Sequence, residues 1–256
     1  MLNEVPTESL DRLRPFFSDL PGLHGCLDAA LEGSMGTAYA DDAEEPAVAL
    51  VKLDFTLLAG DPSVDVAEEA VRNVERPASI VVSGPDWAWL LRRVWGEKLQ
   101  SRTRIAFSSE IWDRSQLDSF TRALPEGYSL KRVGAEDADR FAQLADSFVY
   151  NFPSLDAFVA HGVGYGIEYE GRYVSGCSSF AISSRSLEFE IQTHPDFRRR
   201  GLAMATAAAM IEHCLDNNME PCWDAHNDMS AALAKKLGFV DPTPYTAYGL
   251  LPRPDS

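Results

Sequence analysis

The sequence predicts an α/β (α+β) protein in two units, on three observations. The run Leu187-Glu188-Phe189-Glu190-Ile191-Gln192-Thr193 alternates apolar and polar residues with the period of a strand. After a short basic turn, segment 204–215, rich in Ala, Met and Leu and free of Gly and Pro, has the pattern of a helix. The second half of the chain orders its elements β-α-α-β-β-β-α-β-α-β. A chain of 256 residues with 45% apolar residues suits one large domain or two of ordinary size, with ample core and no expectation of disorder.

Segment 7–32 reads as two short helices parted at Pro21-Gly22, with Thr7 or Ser9 suited to cap the first. Residues 36–40 read as a strand and 41–46 as an acidic turn. Segment 47–58, rich in Val, Leu and Phe, reads as one or two strands ending at Gly60-Asp61-Pro62. Segment 64–74 is helical in pattern, 78–82 is a short buried strand, and 85–95 is a tryptophan-rich helix with Pro85 fitted to its first turn. Segment 102–108 alternates as a strand, and 114–124 reads as a helix or connector. The turn Pro125-Glu126-Gly127 then divides an N-terminal α+β domain, 1–125, from a second domain, 126–256.

In the second domain 128–133 is a strand. A helix opens at Ala135 and runs to Phe148, with acids in its first turn where the dipole favours them. Segment 154–161 is a short helix, and 163–169 with 172–180 forms a hairpin across Glu170-Gly171. Past the 187–193 strand and its helix, Asn217-Asn218 ends the helix and 221–225 is a strand. Segment 230–237 is a helix stopped by Gly238, and 239–250 holds one or two closing strands.

The formal net charge of −16 argues against nucleic-acid and anionic-membrane partners and suits a cationic small substrate such as an amine, beside simple solubility. No apolar run approaches the ~20 residues that span a bilayer. The start Met1-Leu2-Asn3-Glu4-Val5-Pro6 lacks a basic segment followed by an apolar one, so a cytoplasmic protein is expected. Cys26, Cys177, Cys214 and Cys222 have no metal spacing; reduced thiols and no metal site are expected.

The turn itself reads Arg198-Arg199-Arg200-Gly201-Leu202-Ala203. Gly201 and the small Ala203 let a ligand come close to the backbone, and the free amides of a helix's first turn attract an anion such as a pyrophosphate. The pattern Arg198-x-x-Gly201-x-Ala203 resembles the acetyl-CoA loop of the GNAT (Gcn5-related) N-acetyltransferases, Gln/Arg-x-x-Gly-x-Gly/Ala. A second stretch, from Asn227 to Phe239, is similar to the Asn-x-x-Ala-x-x-Leu-Tyr-x-Lys-x-Gly-Phe segment of the family's last helix, with Asn227 eleven residues before Gly238. Together with Pro221-x-Trp223-Asp224-Ala225, it looks most like the GNAT subfamily that includes zwittermicin-resistance acetyltransferases. The resemblance covers 126–250 and implies the GNAT acyl-CoA N-acyltransferase fold there. The N-terminal half is similar in outline only. Segment 36–108 reads either as a degenerate GNAT-like repeat or as an unrelated α+β region, and its turn Gly60-Asp61-Pro62-Ser63 carries an acid and is not expected to bind CoA.

The resemblance implies acetyl-CoA as cosubstrate and acetyl transfer to a primary amine of a small molecule, an antibiotic or an amino metabolite. It implies that Ile191, Gln192 and Thr193 bond the pantetheine arm through their backbone. Arg198, Arg199, Arg200, Gly201, Leu202 and Ala203 would hold the diphosphate, and Asn227 and Ser230 would also contact the cosubstrate. Asn227 is equally suited to cap the following helix. The family's general base, about ten residues before the loop, falls on Glu188, with Glu190 second. The tyrosine that many members carry seven residues after the asparagine is Ala234 here, which leaves Tyr245 and Tyr248 as candidate general acids. That departure keeps a second reading open, a non-catalytic acyl-CoA-binding regulatory or sensory domain. His194 and His226 fall near the cleft ends, where a lone histidine is usually structural. Tyr150, Phe152 and Trp223 are candidates to line an acceptor pocket. The sequence does not choose between a monomer and a homodimer.

Overall fold

The computed structural model describes residues 1–251. The first half runs β1 (Asn3–Glu4), a 3-10 segment (Thr7–Phe17), α1 (His24–Leu31), β2 (Thr37–Ala40), β3 (Val48–Lys52), β4 (Phe55–Gly60), α2 (Asp65–Arg72), β5 (Ala78–Val82), α3 (Pro85–Trp95), β6 (Leu99–Ser108) and α4 (Arg114–Arg122). The second runs β7 (Ser129–Arg132), α5 (Ala138–Ala142), a 3-10 turn (Asp146–Phe148), α6 (Leu155–His161), β8 (Gly164–Tyr169), β9 (Arg172–Ile182) and β10 (Ser186–Thr193). A 3-10 turn (Pro195–Phe197), α7 (Leu202–Asp216), β11 (Glu220–Cys222), β12 (Asp224–Ala225), α8 (Asp228–Leu237) and β13 (Val240–Leu250) complete it. Among the described residues no helix is long and apolar enough to cross a membrane.

These elements form two units, one of Met1–Ala106 with the segment from Pro242 onward, the other of Phe107–Asp241. The division differs from the one expected between residues 125 and 126. Helix α4 goes with the second unit because Leu117 is buried there and Arg114 pairs with Asp216 of α7 at 2.6 Å. Most of β13 goes with the first, where it lies antiparallel to β5 with Tyr248 opposite Ile80. Strand exchange of this kind is a tertiary choice that a local pattern does not record.

In the first unit the strands run in the order β1-β2-β3-β4-β5-β13-β6. Its core gathers Val48, Leu58, Ile80, Tyr248 and Leu250 from the sheet against Val71 of α2 and Trp87, Leu90 and Leu91 of α3. The expected first helix is a 3-10 segment instead. Pro15 lies inside it and can donate no ladder bond, and Pro6 holds the cap position without help from Thr7 or Ser9.

In the second unit the order is β11-β10-β9-β8-β7. One face of the sheet carries α7, whose Met210 and Cys214 pack on Val163, Cys177 and Leu187. The other face carries α5, the 3-10 turn and α6 through an aromatic cluster: Phe141 stacks on Phe148 at 4.4 Å and lies 6.2 Å from Phe158. Strand β9 makes room for these rings with Gly176, where a Cβ would lie 2.5 Å from Phe141 and 2.8 Å from Phe148. Gly176→Ala is therefore expected to lower stability by about 1–3 kcal/mol in urea unfolding, because both buried rings must shift. Beside the cluster, Lys131 of β7 reaches Glu168 of β8 at 2.7 Å and Asp137 at 3.0 Å, and Arg140 of α5 pairs with both acids. The hydrogen bonds from Lys131 and then Arg140 hold the Glu168 carboxyl below its usual range and tie α5 to the sheet.

The helix expected from Ala135 to Phe148 is broken. α5 covers Ala138–Ala142, Ala145 is extended, and Asp146–Phe148 forms a separate turn. The break lets the Phe148 ring lie flat on Phe141, while its carbonyl accepts from the buried Ser178 hydroxyl at 2.6 Å.

Candidate functional site

The site begins where β10 loses a neighbour. Strand β11 runs parallel to β10 for three pairs only, Ser186 with Glu220, Leu187 with Pro221 and Glu188 with Cys222. Two features coincide with the end of the pairing. The register of β10 with β9 shifts between Glu188 and Phe189, where Phe180 is the extra residue that bulges β9. Beyond β11 the chain is drawn elsewhere, as the Trp223 carbonyl accepts from Phe107 N at 3.2 Å. From Phe189 to Thr193, β10 therefore keeps β9 on one side and, among the described residues, has no strand on the other. Phe189 faces Trp223 at 5.8 Å, and Trp223 faces Phe239 at 5.2 Å.

Leu187, Phe189 and Ile191 turn toward α7, so Glu188, Glu190 and Gln192 leave the opposite face, as the alternation predicted. Glu188 is 3% exposed and lies in the fully paired part of the strand. Glu190 is half-buried in the unpaired part. Its Oε1 accepts from the Ser147 hydroxyl at 2.9 Å and from the Gln192 side-chain amide at 2.9 Å. Burial pushes the Cys177 thiol of β9 well above its usual value, which leaves it inert beneath β10.

The strand leads directly into the basic loop. His194 N bonds Val174 O at 2.9 Å and ends β10; its Nδ1 accepts from Asp196 N at 3.4 Å and supports the next turn. Phe197 anchors the loop in a pocket of Ile167, Val174, Leu202 and Ala205. Arg198 donates to Thr193 O at 3.2 Å; Arg200 donates to the Tyr128 hydroxyl at 2.7 Å and to Asp196 O at 3.1 Å while covering the Phe197 ring. Two of the three arginines thus brace the loop, and Arg199 sits on its exposed left-handed corner, φ 62°. Gly201 is left-handed as well, φ 79°, with no atom within 4 Å of where a Cβ would stand. No side chain caps α7, and its first ladder bond is Ala205 N to Gly201 O at 3.1 Å, so the amides ahead of it take no part in the ladder.

Asn227 caps α8: its Oδ1 accepts from Ser230 N at 2.8 Å, and its amide nitrogen lies 2.8 Å from His226 Nε2. The Ser230 hydroxyl accepts from Trp223 Nε1 at 3.1 Å. Ala234 is fully buried. Tyr245 and Tyr248 belong to the first unit on β13; Tyr245 is 8% exposed, and the Tyr248 hydroxyl accepts from Arg92 at 3.2 Å. Tyr150 is 47% exposed beside Phe180, while Phe152 is buried in the aromatic cluster. Ser147 was hidden inside the expected helix. The Asp146-Ser147 pair, both turn-favouring residues, was the signal that could have found it.

The parallel pair β10–β11 parts ahead of the uncapped helix α7, and residues 23–248 match the family model described as GNAT acetyltransferase. The chain belongs to the GNAT acetyltransferase family. Its relatives include the uncharacterized N-acetyltransferase YdfB of Bacillus subtilis (strain 168), 29% identical over 97% of this chain and 98% of that protein. A GCN5-related N-acetyltransferase-like protein from Streptococcus suis 89/1591 is 32% identical, with a TM-score of 0.82 over 94% of this chain and 98% of its own. A tandem GNAT protein from the clavulanic acid biosynthesis pathway shares the fold at 14% identity, with a TM-score of 0.58 over 99% and 100% of the two chains. This GNAT protein is thus an acetyltransferase of a family that uses acetyl-CoA, with the mixed α/β fold expected.

Proposed function

We propose that the protein transfers the acetyl group of acetyl-CoA to a primary amine of a small molecule, by direct attack with Glu190 as general base. The observation that carries this reading is the unpaired edge of β10 from Phe189 to Thr193, which runs straight into the open N-terminus of α7. The edge suits an amide-bearing arm such as pantetheine, bonded by the backbone of Ile191, Gln192 and Thr193. The free amides of Gly201, Leu202 and Ala203 suit a diphosphate, with Arg198, Arg199 and Arg200 supplying positive charge around them. Asn227, the N-cap of α8, and Ser230 in its first turn are assigned to the same cosubstrate.

Acetyl transfer to an amine needs a polarised carbonyl, a neutral amine and a path for one proton. A backbone N–H on the open edge can polarise the carbonyl. Glu190 suits the proton better than Glu188, because it stands in the unpaired segment and is half-buried, whereas Glu188 lies sealed in the paired part. Ala234 leaves the thiolate without the usual tyrosine donor. That absence is what favours the second reading, a domain that binds acyl-CoA without turnover. Release of free CoA thiol over a panel of small amines separates the two. Turnover of an amine supports the transferase, and tight CoA binding with no turnover across the panel supports the second.

The first unit is proposed as a degenerate GNAT-like repeat that does not bind CoA. Its parallel pair β4–β5 does not splay: the pairing runs from Phe55–Ser79 to Leu58–Val82 and continues with Ser83 N to Leu58 O at 2.9 Å. Trp87 Nε1 then donates to Gly60 O at 2.9 Å. In the following turn the Asp61 carboxylate accepts from Ser63 N at 2.8 Å and from its hydroxyl at 2.6 Å, so the turn already holds its own anion. Titration calorimetry is expected to give one acetyl-CoA per chain; two would overturn this part of the reading.

A further inference from the structure

The geometry points to Ser147 as a positioning residue for the acetyl transfer, fixing the Glu190 carboxylate in register with the acceptor amine. The inference rests on the reading of Glu190 as base and goes beyond it, because the residue lies on a separate element, the 3-10 turn between α5 and α6. Both hydrogen bonds to Glu190, from Ser147 and from Gln192, fall on Oε1, each at 2.9 Å. One carboxylate oxygen is thereby occupied and oriented, and the other is left for the proton.

Ser147 is itself held in place. Its neighbour Phe148 is 1% exposed, stacked on Phe141 at 4.4 Å, and the Phe148 carbonyl accepts from the fully buried Ser178 at 2.6 Å. Three residues further on, Asn151 donates to Phe180 O at 2.9 Å, at the bulge of β9. The chain is thus fastened to β9 at two points just after Ser147, so the hydroxyl is presented to Glu190 by a rigid support. A water molecule could bond the same oxygen but could not define its direction.

The test needs no acceptor for its first arm. The Glu190 carboxyl resonance is observed by carbon-13 NMR in the full chain at fixed pH, assigned by its disappearance in Glu190→Gln. Ser147→Ala is expected to shift that resonance, because the hydrogen bond to Oε1 is lost, and Ser147→Thr, which keeps the hydroxyl, to leave it in place. On an amine that is turned over, Ser147→Ala is expected to lower kcat about 10-fold with unchanged affinity for acetyl-CoA, and Ser147→Thr to restore it. An unmoved resonance in Ser147→Ala, alongside slow turnover by Glu190→Gln, overturns the role of Ser147 alone. Full-rate turnover by Glu190→Gln overturns the base assignment, and the role of Ser147 with it.

Discussion

Gly201→Asp is expected to weaken acetyl-CoA binding by at least about 100-fold, measured by calorimetry. Two costs combine. Gly201 has φ 79°, a conformation that charges a side chain about 1–2 kcal/mol. The larger cost is electrostatic. A carboxylate at the mouth of α7 would stand where the diphosphate is proposed to sit, and two like charges 4 Å apart repel by about 4 kcal/mol at a surface-like dielectric. The fold should tolerate the change, because no atom lies within 4 Å of the Cβ position and the side chain would project into open space. Gly201→Ala separates the two costs: it meets the same backbone penalty without the charge, and its loss of affinity is expected to be about 10-fold or less. Raised salt should recover part of the Asp deficit and none of the Ala deficit. Unchanged affinity in Gly201→Asp would remove the loop from the site.

The parts of this molecule that the sequence announced are those where one local pattern does one job. Strand β10, its loop and α7 were legible because alternation, three arginines and a glycine, and an Ala-rich run follow one another without a competing signal. Likewise β5 and α3 fall where Ile80 to Val82 and Pro85 to Trp95 put them. The end of α5 was not legible. Leu144-Ala145 suits a helix, and only the stacking of Phe148 on Phe141, with the bond from Ser178, makes the break preferable. Segment 221–225 was expected as one strand but divides at Trp223, whose carbonyl is claimed by Phe107, more than a hundred residues earlier in the chain. That division matters to function, since it ends the β10–β11 pairing and opens the edge. Local propensity predicted both strands; the gap between them is decided by a bond that no local window contains.

Glu190→Gln is the second large effect, a fall in kcat of about 10²–10⁴ with acetyl-CoA affinity unchanged. The substitution keeps the shape of the side chain and an Oε1 that still accepts from Ser147 and Gln192, so the loss isolates proton acceptance from packing. The acid limb of the kcat/KM profile, which reports ionisation of the base in the free enzyme, should disappear, while any limb belonging to the amine itself persists. Glu188→Gln is the necessary contrast. Glu188 shares the strand face but is 3% exposed within the paired segment, and the resemblance to the family gave it the first claim. If Glu188 serves structure, its amide variant lowers stability and leaves the acid limb intact. If the limb instead vanishes in Glu188→Gln and survives in Glu190→Gln, the base lies one turn of the pleat deeper than proposed. The acceptor's proton would then have to reach it through water, since β9 and β11 flank Glu188 on both sides.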